Sequence, residues 1–388
     1  MNEKKFRTFH LTDLPKKEIY IILNEPFRHK FFKRLYNLIG GSTILGNKLS
    51  VINETIRRWK VGERAIPNWA LLSLNDLLED NKFSIEEIEN NITSYRGESS
   101  NKPITKINLP IVEDERLVRI VTHLLCDGYD GGKRHLPTYN NTEKILIKHF
   151  IEDLSVFGSV PIKLIEYVQP KGKKLLYRVE FPRIFAHILR HIYKIKFHGN
   201  DGRLPSYFFD LSSDLAFQVM KSAFDDEGYV RESRVGMALS NFNLLNDFKK
   251  LMEINLKESG NCISKINRSH STYSLDNYSR RPQYYFEINR KALEWYSKYI
   301  CFEHPRRKIL LDIIIKRGAR LGNKHSKGIT KMKILDLLSK NPASSIDLAL
   351  RLEIKPKNIR YHLENLKKED KIDISHKGWS DTIIWKIK

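Results

Sequence analysis

Two stretches of this chain end alike: Ile120–Gly128 (IVTHLLCDG) and Met220–Gly228 (MKSAFDDEG) are apolar, helix-like runs that close on an acid and a glycine. The same order of elements surrounds each, and a repeat of this length restricts the central chain to a fold of two similar halves. In the first pass, Asp114–Cys126 reads as a helix, and Tyr129–His135 and Leu136–Asn141 as two short polar strands. Thr142–Phe157 is an amphipathic helix with Ile145, Ile147, Phe150, Ile151 and Leu154 at helical spacing. Pro161–Gln169 and Lys174–Phe181 form a hairpin, and Pro182–Tyr193 is a helix with proline in its first turn. The second pass places helices at Ser213–Asp226, Phe242–Ile254 and Arg290–Ile300, and strands at Tyr229–Arg234, Val235–Asn241, Cys262–Ser269 and Pro282–Asn289. The order is αββαββα, twice.

The paired acid–glycine helix ends and their matched surroundings, from Ile111 to Lys308, resemble the LAGLIDADG homing endonuclease family. Tyr193-Lys194-Ile195-Lys196 with Arg203-Leu204-Pro205, and His304-Pro305-Arg306-Arg307-Lys308, are similar to the segments after the third helix in that family. The resemblance implies an α+β chain whose body is a duplicated αββαββα saddle. It further implies that the two helices pack along their apolar faces and bring Asp127 and Glu227 together as metal-binding, catalytic acids. Two hard oxygen ligands completed by phosphate and water suit Mg²⁺. Such an ion polarises a scissile phosphate and activates water. A basic residue near each acid is also implied; by position these are Lys194 or Lys196, and Arg307 or Lys308, which would stabilise charge at phosphorus. Thr122 and Ser222, with Cys126, supply small residues for the helix seam, whereas Val121, Lys221 and Asp226 depart from the motif.

In such a saddle the polar face of each strand group enters the DNA major groove. The candidate contacts are Lys133, Arg134, Tyr139 and Asn140 in the first half and Arg231, Arg234, Lys265, Asn267 and Arg268 in the second; the hairpin tip Lys171, Lys173 and Lys174 would meet phosphates. For any one of these a solvated face is the plain alternative.

Two polar stretches, Arg96–Thr105 and Arg317–Gly328, read as linkers. They divide the chain into an all-α N-terminal domain (1–105), the body (106–316, halves about 110–205 and 206–310) and a C-terminal domain (329–388). In the N-terminal domain, Ser42–Leu49 and Asn53–Trp59 read as a helix-turn-helix with a supporting helix, Pro67–Glu79, after it. Ile44, Leu45, Leu49, Ile52, Ile56 and Trp59 would form its core, and Thr55, Arg57, Arg58 and Lys60 would face DNA. In the C-terminal domain, helices at Lys331–Ser339, Ser344–Leu352 and Lys355–Glu369 and strands at Lys371–Ser375 and Thr382–Ile387 resemble a winged helix. Its third helix would offer Lys357, Asn358, Arg360, Tyr361 and His362, and its wing Lys377. Winged helices also pair proteins, so both uses stay open.

Charge agrees with a polyanionic partner: 68 Lys and Arg against 46 Asp and Glu give a net charge of +22. No apolar run approaches the roughly 20 residues of a membrane span. The N-terminus lacks the apolar core of a secretory signal, so a cytoplasmic location is expected. Three widely spaced cysteines, Cys126, Cys262 and Cys301, argue against a disulfide framework, and Cys301 with His304 makes at most half of a metal site. The chain opens on Met1 and ends Lys386-Ile387-Lys388, without the splice residues of an intein. The expectation is a site-specific, Mg²⁺-dependent endonuclease of homing type acting on double-stranded DNA, with a monomeric body. The alternative is a non-catalytic transcription regulator built on the same fold. Charge and fold also admit RNA, which neither flanking module favours.

Overall fold

The computed structural model describes residues 6–98, 102–132, 135–168, 175–195, 197, 201–231, 234–256, 262–268, 282–316, 328–354, 356–377 and 383–388. They fall into two compact units, one of residues 1–141, 147–165 and 177–208, the other of 142–146, 166–176 and 209–388.

The N-terminal segment begins with β1 (Thr8–Phe9), β2 (Tyr20–Leu23) and α1 (Glu25–Leu38), whose N-cap Asn24 accepts from the Phe27 amide. The helix-turn-helix is α2 (Ser42–Leu49) and α3 (Asn53–Val61), after which come β3 (Ile66–Pro67), α4 (Asn68–Asp76), α5 (Ile85–Glu89), β4 (Ile92–Arg96) and β5 (Ile104–Thr105). The expectation of an all-α domain is corrected by a four-stranded sheet in the order β3-β2-β4-β5. Tyr20 and Ile21 pair with Arg96 and Tyr95, and Ser94 and Tyr95 with Thr105 and Ile104. The end of the expected linker is therefore an edge strand, bonded on to Ser159 through Thr105. The physical reason is that apolar Tyr20–Leu23 cannot lie in water and finds its partner at Ile92–Arg96, far along the chain. Leu45, Ile56 and Trp59 are buried as expected, but Ile44 and Ile52 are exposed, at 47% and 71%.

The first half of the body comprises β6 (Ile111–Val112), α6 (Glu115–Cys126), β7 (Gly128–Tyr129), β8 (Thr138–Asn141), α7 (Lys144–Asp153), β9 (Lys163–Val168), β10 (Leu175–Glu180) and α8 (Arg183–Tyr193). Its sheet runs β7-β8-β10-β9. The second half comprises α9 (Ser213–Glu227), β11 (Gly228–Arg231), β12 (Arg234–Leu239), α10 (Phe242–Asn255), β13 (Asn267–Arg268), β14 (Tyr284–Ile288) and α11 (Leu293–Tyr299), with sheet order β11-β12-β14-β13. The two sheets share one topology, and the αββαββα order is present in both halves. Strand alternation puts Val235, Met237, Leu239, Phe286 and Ile288 on the buried face of the second sheet.

After α12 (Pro305–Lys316), the C-terminal segment folds as α13 (Ile329–Lys340), β15 (Ala343–Ser344), α14 (Ser345–Leu352), α15 (Pro356–Lys368), β16 (Ile372–Lys377) and β17 (Ile383–Ile387). Ile334, Leu348, Ile359, Leu363, Leu366, Ile372 and Trp385 close one apolar core, and the sheet runs β15-β17-β16, the arrangement of a winged helix. Ile359, Leu363 and Leu366 recur every three or four residues, so α15 buries one stripe and leaves the opposite face in solvent.

Candidate functional site

The helix α6 starts at Asp114, whose carboxylate accepts from the amides of Arg116 and Leu117 at 2.9 and 3.3 Å. From Leu117 to Leu125 only Arg119 escapes burial, so the helix is enclosed on nearly every side. At its end the Asp127 amide bonds the His123 carbonyl at 2.9 Å, and the chain turns at once into β7. That turn needs glycine: a Cβ on Gly128 would stand 2.4 Å from the Leu124 carbonyl oxygen. At the end of α9 the relation repeats, a Cβ on Gly228 standing 2.4 Å from the Phe224 carbonyl oxygen. Both acid–glycine pairs are thus the same device, a helix end pressed against the first residue of a strand. Asp127 and Glu227 each emerge half-buried at that corner.

Small residues sit where the sequence places them. Thr122 is fully buried and its hydroxyl donates to the Val118 carbonyl at 2.8 Å. Ser222, its counterpart, is buried with no hydrogen-bond partner for its hydroxyl among the described residues. Of the charges that depart from the motif, Lys221 pairs with Glu303. Asp225, which the sequence reading did not single out, is 2% exposed and accepts from the amides of Glu303 and His304 at 2.8 and 2.9 Å. Position 125 in the first half is Leu, so this clasp belongs to the second half alone.

Arg307 caps the same helix. Its guanidinium donates to the carbonyls of Phe224 at 2.9 Å, of Asp225, and of Asp226 at 3.3 Å, which places a cation on the C-terminal carbonyls beside Glu227. His304 lies buried between Glu143, 3.5 Å from Nε2, and the Arg307 amide, 3.5 Å from Nδ1. Burial first, and then Arg307, pushes its pKa down to about 3, so the imidazole is neutral at physiological pH. Among the described residues no group of three or more His, Cys, Asp or Glu is placed to hold a metal, and all three cysteines are free thiols.

In the first half, Lys194 is the C-cap of α8 in the left-handed region (φ 54°), next to Tyr193, whose hydroxyl bonds Glu113 just ahead of α6. Two basic residues of α8 reach the loop after Asp127: Arg183, which donates to the His135 carbonyl at 2.9 Å, and Arg190, paired with Asp130. Nothing in the sequence spacing marks that pair. Lys196 lies outside the described residues, and Lys308 stands in the first turn of α12.

The strand candidates divide. Tyr139 is corrected: it is fully buried, its ring 4.5 Å from Phe150 and 5.1 Å from His123, because in the run Thr138-Tyr139-Asn140-Asn141 alternation turns 139 and 141 to the helices. Asn140 lies on the other face and accepts from Arg178 Nε at 3.0 Å, which makes Arg178 a face residue the sequence reading passed over. Arg234 is exposed and paired with Glu287 at 2.7 Å, which also accepts from the Tyr229 hydroxyl at 3.3 Å. Lys265, Asn267 and Arg268 are exposed at the sheet edge, and Arg231 is in β11. Lys133, Arg134, Lys171, Lys173 and Lys174 lie outside the described residues, as do the side chains of Arg231 and Lys377.

On α3, Arg57 is exposed, Thr55 half-buried, and Arg58 lies 3.1 Å from Glu54, while the Lys60 ammonium sits 4.4 Å above the Tyr36 ring. On α15, Lys357, Arg360 and Tyr361 are exposed and Asn358 and His362 half-buried; burial and nearby Lys331 lower the His362 pKa.

Residues 329–370 match the family model described as bacterial regulatory protein, arsR family. No curated protein matches the chain. Among solved structures, the chain is similar to the homing endonuclease I-DmoI in complex with DNA and Mn, at 13% identity over 48% of this chain and 96% of that one, with a TM-score of 0.31. It is similar to I-WcaI bound to its DNA recognition sequence at 16% identity, over 51% of this chain and 85% of that one, with a TM-score of 0.33. Full-length WhiA from Thermatoga maritima matches at 12% identity over 66% of this chain and 90% of that one, with a TM-score of 0.35.

Proposed function

We propose that this chain is a site-specific, metal-dependent endonuclease of double-stranded DNA. The observation that carries the reading is the matched pair of helix ends, in which a Cβ on Gly128 or on Gly228 would stand the same 2.4 Å from the carbonyl oxygen four residues back, so that Asp127 and Glu227 occupy equivalent corners. A hard carboxylate at such a corner suits Mg²⁺, which takes few protein ligands. Bound by these acids and phosphate, Mg²⁺ would supply Lewis-acid polarisation of the scissile bond. Arg307, fixed on the α9 carbonyls, holds a positive charge beside Glu227, and Arg190 holds one near the loop after Asp127. The exposed faces of α3 and α15 and the open faces of the two sheets would supply the DNA contacts, and a net charge of +22 the long-range attraction.

The test is incubation of purified protein with a supercoiled library of its own genomic neighbourhood, with Mg²⁺ or with EDTA. Discrete linear products that require Mg²⁺ and vanish in Glu227→Gln support the nuclease. Tight, salt-sensitive binding without cutting would overturn it in favour of a non-catalytic transcription regulator. That second reading is supported by the match of residues 329–370 to a bacterial regulator model and by the solvent-facing Arg360 and Tyr361.

A further inference from the structure

We propose that the first unit carries a pocket for a small phosphate monoester, of mononucleotide size, organised by Arg7. The guanidinium of Arg7 lies 3.9 Å over the ring of Tyr207, and Tyr207 stacks on Tyr193 with centroids 5.9 Å apart and planes 20° from parallel. Both tyrosine hydroxyls donate to buried Glu113, at 2.7 and 3.0 Å, and the Glu113 amide bonds the Arg7 carbonyl at 2.8 Å. The stack is therefore held at its base and along the backbone. An arginine lying over an aromatic ring still has N–H groups to offer a bidentate oxyanion. Among the described residues no carboxylate forms an ion pair with Arg7 or Lys194, although the Arg7 charge acts at longer range on buried Glu113.

Arg7 and Lys194 line two adjoining cavities. One, of about 400 Å³, also meets Arg203, Ile195, Leu204 and Pro205; the other, of about 690 Å³, extends along Thr8, Thr12 and Asp13. Volumes of this order are those of small-molecule sites, roughly 300–1,000 Å³. The cations fit a phosphate, and the apolar wall of Ile195, Leu204 and Pro205 fits the organic body of an ester, which inorganic phosphate lacks. Asp201 in the first cavity and Asp13 in the second add negative charge to the lining, which disfavours an extended polyanion.

The proposal is independent of the nuclease reading, because its test uses no DNA. Full-length protein is titrated calorimetrically with AMP, adenosine and inorganic phosphate, and the titrations are repeated on Arg7→Gln and Arg7→Lys. The expected result is saturable binding of AMP, weaker binding of phosphate and none of adenosine. Arg7→Gln should weaken AMP roughly tenfold or more, and Arg7→Lys should recover only part of it, since lysine restores charge without the planar fork. Arg7 is exposed, so both variants should keep the far-ultraviolet spectrum of the parent. Absence of AMP binding, adenosine binding as tightly as AMP, or an unchanged affinity in a folded Arg7→Gln would each overturn the proposal.

Discussion

The carbonyl oxygen of Phe224 stands 2.4 Å from the point where a Cβ on Gly228 would lie, and the obstacle is backbone. A side chain there forces the strand away from the helix end and takes Glu227 with it. Gly228→Ala, and likewise Gly128→Ala, should destabilise the fold by about 1–3 kcal/mol, the usual scale of overpacking. Chemical denaturation checks this; a variant as stable as the parent would show that the corner can open without loss.

Tyr139 belongs to the core and not to a DNA-facing surface. Tyr139→Ala should cost about 3–5 kcal/mol, as for large aromatic truncations. Tyr139→Phe loses the bond that its hydroxyl receives from Asn141, about 1 kcal/mol, and should bind DNA as the parent does. A folded Tyr139→Phe with sharply weaker DNA binding would contradict the placement.

His304 makes stability depend on pH in a definite direction. Its folded pKa, about 3, lies below the unfolded value near 6.5, so below 6.5 the unfolded chain takes up a proton that the folded one refuses. Stability from this group is intact above pH 6.5 and is lost as pH falls towards 3, by at most about 1.4 kcal/mol per unit. Glu143, Asp225, Arg306 and Arg307 are among the charged groups around it. Melting temperatures of the parent and His304→Gln compared between pH 7.5 and 4.5 check this: the variant should show the shallower slope, and identical slopes would refute the assignment.

The outer face of α15 offers a separation of binding from folding. Arg360→Ala should weaken DNA affinity and leave stability within about 0.5 kcal/mol, as for exposed sites. Ile359→Ala, one residue away and fully buried, should cost about 2–5 kcal/mol. The Arg360 variant should also reduce the slope of log K against log[salt] by roughly 0.9 if it neutralises one phosphate. An unchanged slope and affinity would assign α15 to protein pairing.

Much of the fold was legible in sequence because it is local. The helix Ser42–Leu49 has the bounds expected of it and ends where Ser50 enters the left-handed region, and the Asp-Gly and Glu-Gly corners are written into adjacent residues. The features that escaped reading are non-local. The pairing of Tyr20–Leu23 with Ile92–Arg96 has no marker in either segment, and the Arg190–Asp130 and Asp225–His304 contacts join residues 60 and 79 apart. Tyr139 was ambiguous for another reason: Thr-Tyr-Asn-Asn carries polar residues on both strand faces, so alternation alone does not say which face is buried.

The most direct test of the paired acids compares cutting and binding in the same Mg²⁺ buffer for the parent, Asp127→Asn and Glu227→Gln. Each single substitution should abolish linear product while affinity for the target stays the same or rises, because a repulsion between carboxylate and phosphate has been removed. Undiminished cutting in either variant, or loss of DNA binding together with cutting, would contradict the assignment of these two acids.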